Sequence, residues 1–99
     1  MAELTAERLR YLFSYDKYTG YFVRLVRTSK NTHIRDVAGY MNKHIGYKVL
    51  SVDNRQYYSH ILVWLYVYGK FPHNQIDHID GNRNNNRLKN LRIVTHSAN

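Results

Sequence analysis

The residues best suited to chemistry lie in the stretch from Ile76 to Asn99. Asp77 and His78 are adjacent, Asn90 follows after a loop dense in Asp, Gly and Asn, and Asn99 stands at the last position. An imidazole exchanges protons near neutral pH, and carboxylate and carboxamide oxygens bind hard cations. These side chains suit metal-assisted acid–base chemistry. A lone strand histidine is more often structural, and asparagines in a row are also ordinary loop residues that bond to their own main chain.

Positive charge dominates the chain. Fifteen Lys and Arg residues against seven Asp and Glu give a formal net charge of +8. This balance favours a polyanionic partner, nucleic acid first, although a basic surface can also serve solubility alone. The cations expected to contact its phosphates are those beside the loop, Arg83, Arg87, Lys89 and Arg92, and those of the first half, Arg24, Arg27, Lys43 and Lys48.

The composition also excludes several classes of protein. Without cysteine, the chain can form neither disulfides nor thiolate zinc sites, so any metal is held by nitrogen or oxygen ligands. The amino-terminal stretch MAELTAERLRYLF carries charges throughout and predicts neither a signal peptide nor a membrane span. We therefore expect a cytoplasmic protein with no membrane partner and no small-molecule cofactor. The sequence leaves the oligomeric state open.

The first half of the chain is expected to supply a scaffold of short antiparallel strands. A Thr-Ala-Glu-Arg helix start and the apolar positions after it predict a helix over residues 5–13. Alternating aromatic, aliphatic and basic residues predict a strand over Tyr21–Val26. A second period-two run predicts a strand over Tyr47–Val52, which the Asp53–Asn54 turn joins to a strand over Gln56–Ser59.

The apolar run HILVWLYVY, residues 60–68, fits either a buried helix or a buried strand by its periodicity. Residue propensity favours a strand. Ser59 as a cap, Gly69 as an end and Pro72 shortly beyond it favour a helix, which we predict.

The last part of the chain predicts two strands joined by the polar loop. These strands are expected over Ile76–Ile79 and Leu91–Thr95. We place a soft boundary before residue 73, so that an amino-terminal unit of residues 1–72 and a motif of residues 73–99 pack as one domain.

The order Asp77-His78, then Asn90 before an NLR-type strand, then Asn99, resembles the HNH endonuclease family in its HNN form. The upstream text YYSHILVWLYVYGKFP and the earlier YDKYTGYF are similar to the phage and homing-endonuclease branch, so the resemblance spans nearly the whole chain. It implies an α+β fold, a small antiparallel β-meander with helices followed by a ββα-metal motif. The final helix of that motif is expected to begin near Ser97 and to be truncated. A phage origin would place the protein in the cytoplasm of a bacterial host.

The resemblance also implies an activity, the hydrolysis of DNA phosphodiester bonds with one divalent cation, Mg²⁺, Mn²⁺ or another. His78 would be the general base, Asp77 and Asn99 would hold the ion, and Asn90 would orient His78 or pin the loop. The other histidines, His60 among them, are expected to be surface or packing residues. One alternative is a non-catalytic DNA-binding module of the same fold, inactive through its truncated metal-binding helix. Another is a small structural protein whose loop has no active role.

Overall fold

The computed structural model describes residues 3–95, and this part of the chain forms two α-helices and eight strands in three small antiparallel sheets. The α+β prediction is confirmed. The elements in chain order are α1 (Ala6–Leu12), β1 (Phe13–Asp16), β2 (Tyr21–Arg24), β3 (Val37–Ala38), β4 (Tyr40–Asn42), β5 (Tyr47–Val52), β6 (Arg55–Tyr58), α2 (Ser59–Tyr68), β7 (Gln75–His78) and β8 (Leu91–Val94).

The amino-terminal sheet has the order β1-β2-β3. Thr5 caps α1 as predicted, because its side-chain oxygen accepts a hydrogen bond from the backbone N–H of Arg8. The helix ends at Leu12, since Phe13 is already extended and begins β1. Sequence reasoning missed β1 because a four-residue strand directly after a helix leaves too short a period-two pattern. The strand predicted from Tyr21 ends at Arg24, two residues earlier than expected.

The second sheet is a meander with the order β4-β5-β6. The predicted bounds of β5 are confirmed. Asp53 and Asn54 form the predicted turn and both have positive φ, at 51° and 65°, a conformation that Asp and Asn tolerate better than most residues. Because this tight turn needs only two residues, β6 begins at Arg55 and ends before Ser59.

The apolar run forms the predicted helix, α2. Its inward residues Leu62, Val63 and Leu65 are at most 2% exposed, and this burial outweighs the strand preference of the β-branched and aromatic residues in the run. Gly69 ends the helix with φ of 81° as predicted, whereas the prediction that Ser59 caps it is wrong. Ser59 is the first helical residue, and the capping position belongs to Tyr58, whose side chain makes no capping hydrogen bond. Neither helix within residues 3–95 is long and apolar enough to cross a membrane.

The carboxy-terminal hairpin consists of β7, β8 and the segment between them, residues 79–90, which we call the Asn-rich loop. Ile76 of β7 and Leu91 of β8 belong to the same cluster of buried residues as Leu9, Phe13 and Leu62. The hairpin is therefore anchored in the core that α1, β1 and α2 also build. The boundary before residue 73 stays a prediction.

Candidate active site

Strand β7 places its last two side chains in different surroundings. In the β7–β8 register Asp77 lies opposite Arg92, and His78 lies opposite Leu91. Because side chains alternate between the faces of a strand, His78 shares the inner face with Ile76 while Asp77 lies on the outer face. His78 is 6% exposed.

His78 makes a buried hydrogen bond inside the Asn-rich loop. Its Nε2 atom lies 2.8 Å from Oδ1 of Asn86. With that oxygen as acceptor, Nε2 carries the ring proton and Nδ1 keeps its lone pair, a tautomer assigned from the orientation of the carboxamide. A neutral imidazole held in this form can accept a proton at Nδ1.

Sequence reasoning missed Asn86. This residue is 1% exposed, and its backbone carbonyl accepts a hydrogen bond of 2.5 Å from the hydroxyl of Tyr15. Spacing gives no signal for it, since Asn84, Asn85 and Asn86 are alike in sequence. Only the fold decides which of the three points inward.

Asn90 makes its side-chain hydrogen bonds within the Asn-rich loop, which fits one of the two roles expected for it. Its Oδ1 accepts a hydrogen bond from the backbone N–H of Asp80 at 3.0 Å, and its Nδ2 donates to Oδ1 of Asp80 and to the carbonyl of Asn85, both at 2.9 Å. Among residues 3–95 the hydrogen-bond partner of the His78 ring is Asn86, so Asn90 acts on the loop and not directly on the imidazole.

Asp80 is the centre of this hydrogen-bond network. Its carboxylate accepts from the side chain of Asn85 at 2.9 Å and from the backbone N–H of Asn82 at 2.8 Å, as well as from Asn90. These bonds lower the pKa of Asp80, with the Asn85 bond making the largest contribution. The bond to the N–H two residues later is an Asx turn.

His60 is a buried packing residue beside His78. The two rings meet edge to face with centroids 5.0 Å apart, and His60 stacks on Tyr58 at 5.6 Å. Burial, and to a smaller extent the charge of His78, lowers the pKa of His60 to about 4. Its Nδ1 has no hydrogen-bond partner within the described residues. His60 thus packs against the His78 ring as a buried, neutral imidazole.

The outer face of β7 carries an ion pair. Nε and Nη2 of Arg92 lie 3.1 Å and 3.0 Å from the same oxygen of Asp77, Oδ2. Neither contact uses Oδ1 of Asp77. Arg92, which sequence reasoning assigned to DNA, is thus also a partner of the carboxylate expected to hold metal.

The expected metal ligands are only partly within the described residues. Asp77 is one of them, and Asn99 lies outside residues 3–95. Within that range no group of three or more His, Asp or Glu side chains is placed to hold a metal ion. A carboxylate and a carboxamide nevertheless fit a hard cation that keeps most of its coordination for water and phosphate.

The cations of the Asn-rich loop are exposed and lie against the amino-terminal half. The Arg83 guanidinium lies 4.4 Å from the centroid of the Tyr47 ring, and a Cβ on Gly46 would come within 2.7 Å of its Nη1 atom. Arg87 and Lys89 line a surface depression together with a third cation and a tyrosine, Lys17 and Tyr18. Residues of the first half thus lie beside the cations of the loop, and we call the exposed cations Arg83, Arg87 and Lys89 the basic surface.

The other predicted DNA contacts are dispersed. Arg24 is partly buried over the ring of Phe13, and the exposed Arg27 donates to backbone carbonyls of its own loop. Lys43 is exposed in the turn between β4 and β5. Lys48 is buried, contrary to the expected surface cation, with Nζ 4.4 Å from the centroid of Tyr21 and its pKa lowered by burial.

Comparison with known proteins gives one family match and one similar solved structure. The profile of the HNH endonuclease family matches residues 57–99, which contain α2, β7, the Asn-rich loop and β8. A solved structure of DNA binding and cleavage by the HNH homing endonuclease I-HmuI is similar, with a TM-score of 0.56 and 26% sequence identity. That match covers 84% of this chain and 46% of the I-HmuI chain, so this chain spans about half the length of that protein. A search of curated proteins finds no match. The segment of residues 57–99 is therefore similar to the HNH endonuclease family.

Proposed function

We propose that this protein is a metal-dependent DNA endonuclease that hydrolyses phosphodiester bonds with His78 as its general base. The observation that carries the proposal is the buried His78–Asn86 hydrogen bond at the end of β7, inside the segment that matches the HNH endonuclease family. This bond leaves Nδ1 of His78 to take the proton of the attacking water.

The Asn-rich loop supports this role by fixing the end of β7. Asn90 joins the start of the loop to its end through the backbone and side chain of Asp80. The backbone N–H of Ile79 also donates to the carbonyl of Asn90 at 2.8 Å. A base held by rigid neighbours needs little reorganisation when substrate binds, which favours proton transfer.

A divalent cation, Mg²⁺ or Mn²⁺, would be held by Asp77 and Asn99. When bound it would stabilise negative charge on the scissile phosphate and the leaving oxygen. Oδ1 of Asp77 has no hydrogen-bond donor among the described residues and would face the ion, while Oδ2 would keep its contact with Arg92.

DNA binding is attributed to the exposed cations of the basic surface, Arg83, Arg87 and Lys89, and to Arg92. Arg24, Arg27 and Lys43 would add contacts farther away. Because such contacts to phosphate release counterions, affinity should fall steeply as the salt concentration rises. Lys48 is left out of this set because it is buried.

The test is cleavage of supercoiled plasmid with Mg²⁺, with Mn²⁺ and with a chelator. The parent protein should nick or cut only with the metal. His78→Ala should lower the rate by about 10²–10⁴-fold, the usual contribution of a general base, and leave DNA binding unchanged. His33→Ala is the matched control, because His33 is exposed and lies on a distant loop. Cleavage by His78→Ala at the parent rate would refute the assignment of the base.

One observation favours a second function, a DNA-binding module without catalysis. The carboxylate expected to bind metal is already paired with Arg92. The module would bind duplex in a salt-sensitive manner and leave plasmid intact with every divalent metal. Fluorescence anisotropy on the same preparation, run beside the plasmid assay, separates the two functions.

A further inference from the structure

Asn86 is buried in a loop whose other side chains are mostly exposed. It is 1% exposed, while Arg83, Asn84 and Arg87 on either side are exposed. Burying a carboxamide is unfavourable unless its polar atoms are bonded, and Nδ2 of Asn86 has no partner among the described residues. The bond that its side chain does make is to Nε2 of His78. An apolar side chain would avoid the unfavourable burial but could not make this bond.

The backbone of Asn86 is held from the amino-terminal sheet. The Tyr15 hydroxyl, on β1, donates to the carbonyl of Asn86 at 2.5 Å across 71 positions of sequence. The Tyr15 ring is itself packed against Phe22 and Tyr66, with centroids 5.1 Å and 5.9 Å away. A hydroxyl on a ring fixed in this way is a rigid donor.

Gly20, at the end of the β1–β2 turn, packs directly against the peptide bond between Asn86 and Arg87. A Cβ at this position would lie 2.6 Å from the nitrogen of Arg87 and 2.7 Å from the carbonyl carbon of Asn86. Its φ of 80° also disfavours any other residue. The β1–β2 hairpin and the Asn86–Arg87 peptide are thus in direct backbone contact.

We propose that Asn86 is a positioning residue for His78, and that Tyr15 and Gly20 of the amino-terminal hairpin hold Asn86 in place. The carboxamide oxygen selects the His78 tautomer that has its proton on Nε2 and its lone pair on Nδ1. The amino-terminal hairpin is then part of the catalytic apparatus, although its residues do not touch the reacting atoms. This inference rests on the proposed function for its kinetic consequence and on geometry alone for the tautomer.

The tautomer is tested by NMR, independently of cleavage. The 11.9 kDa chain is small enough for long-range ¹H–¹⁵N spectra of its imidazoles, and the spectrum of His78→Ala assigns the His78 signals. At about pH 8.5, well above the ordinary histidine pKa of about 6.5, the parent should show His78 with its proton on Nε2. In Asn86→Ala the two tautomers should mix, whereas the matched variant Asn84→Ala should keep the parent signals. A proton on Nδ1 in the parent, or no change in Asn86→Ala, would overturn the proposal.

The role of the hairpin is tested by kinetics on Tyr15→Phe, which removes one hydroxyl and keeps the ring. We expect kcat to fall severalfold and KM for DNA to stay constant, and kcat of Asn86→Ala to fall by up to about a hundredfold, the effect of a misplaced group. If Asn86→Ala does not fold, the tautomer of His78 in Tyr15→Phe replaces it and should shift toward a mixture. A Tyr15→Phe protein with the parent kcat and the parent tautomer would contradict the role of the hairpin. If no variant and no parent cleaves DNA, the proposed function fails while the tautomer measurement still decides the role of Asn86.

Discussion

Asp77 and His78 are neighbours in sequence, but the two faces of β7 give them different surroundings. His78 is 6% exposed, makes a buried hydrogen bond to Asn86 and packs against the ring of His60. The side chain of Asp77 is 42% exposed and is paired with Arg92, whose side chain is 58% exposed. The side that carries the proposed base is therefore built into the fold, whereas the side that carries the proposed metal ligand is open and its contacts can exchange.

The contacts on the two sides also differ in their contribution to stability, because one is buried and the other is exposed. A buried hydrogen bond whose partner is removed leaves an unsatisfied polar group, which is unfavourable by about 1–3 kcal/mol. An exposed ion pair contributes at most about 1 kcal/mol, because solvent screens it. A divalent ion and a DNA phosphate can therefore rearrange the Asp77–Arg92 pair without disturbing the His78 face.

On the open face of β7, the largest expected effect comes from Asp77→Ala, which removes the carboxylate. Metal-dependent cleavage should fall by at least about a hundredfold, since loss of a ligand should weaken the site no less than loss of an outer partner. The thermal unfolding midpoint should change little, because the side chain is half exposed. Cleavage is measured on plasmid across a range of Mg²⁺ concentrations. A near-parent rate would remove Asp77 from the site.

Acid should destabilise the fold through His60, which packs against His78 on the inner face of β7. His60 takes up a proton near pH 6.5 when unfolded but only near pH 4 when folded, because burial lowers its pKa to about 4. Its contribution to stability is present above pH 6.5 and is lost as the pH falls toward 4, by about 3 kcal/mol in all.

The measurement is urea unfolding at about pH 7 and about pH 5. The parent and His33→Gln should lose more stability between these conditions than His60→Gln, which has no imidazole to protonate. Equal losses in all three proteins would show that His60 is not held neutral by the fold.

A smaller effect on the open face is expected from Arg92→Gln. Removing the cation frees both oxygens of Asp77 for metal, so the Mg²⁺ concentration for half-maximal cleavage should fall about two- to fivefold, the range of an exposed ion pair. Lys89→Gln removes one exposed charge without touching Asp77 and is the control. A raised KM for DNA with unchanged Mg²⁺ dependence would instead assign Arg92 to phosphate contact alone.

The smallest effect is predicted far from both faces. Arg8 and Asp53 form a surface ion pair at 3.0 Å, with each side chain 47% exposed. Asp53→Asn keeps a residue that tolerates the positive φ of the turn and removes only the charge. Stability should fall by less than about 1 kcal/mol in urea unfolding, and cleavage should not change. A change in cleavage would mean that the β5–β6 turn contributes to the site.

Local patterns predicted the elements well where they were long enough. The period-two run of β5, the Asp53–Asn54 turn and the glycine that ends α2 are all signals contained in a few neighbouring residues. β1 was not predicted because it has only four residues. The burial of Lys48 was not predicted either, because Lys48 packs against Tyr21, a residue on another strand. Such contacts between distant residues leave no mark in a single sequence.

In the candidate site, too, some residues could be predicted from local sequence and others depend on tertiary contacts. The adjacent Asp77 and His78 and the position of Asn90 could be read from spacing and resemblance. The choice of Asn86 over Asn84 or Asn85 could not, because the peptide of Asn86 contacts Tyr15 of β1 and Gly20 of the β1–β2 turn, which are distant in sequence. Residues of similar type thus acquire different roles from tertiary contacts alone.

The most direct test of the central claim, that a preformed His78 acts as the general base beside an open metal side, is chemical rescue. His78→Gly leaves a space for free imidazole next to Asn86, and cleavage of plasmid with Mg²⁺ is measured with and without added imidazole. Imidazole should restore part of the lost rate in His78→Gly and none in Asp77→Ala. Parent-like cleavage by His78→Gly without imidazole would contradict that claim.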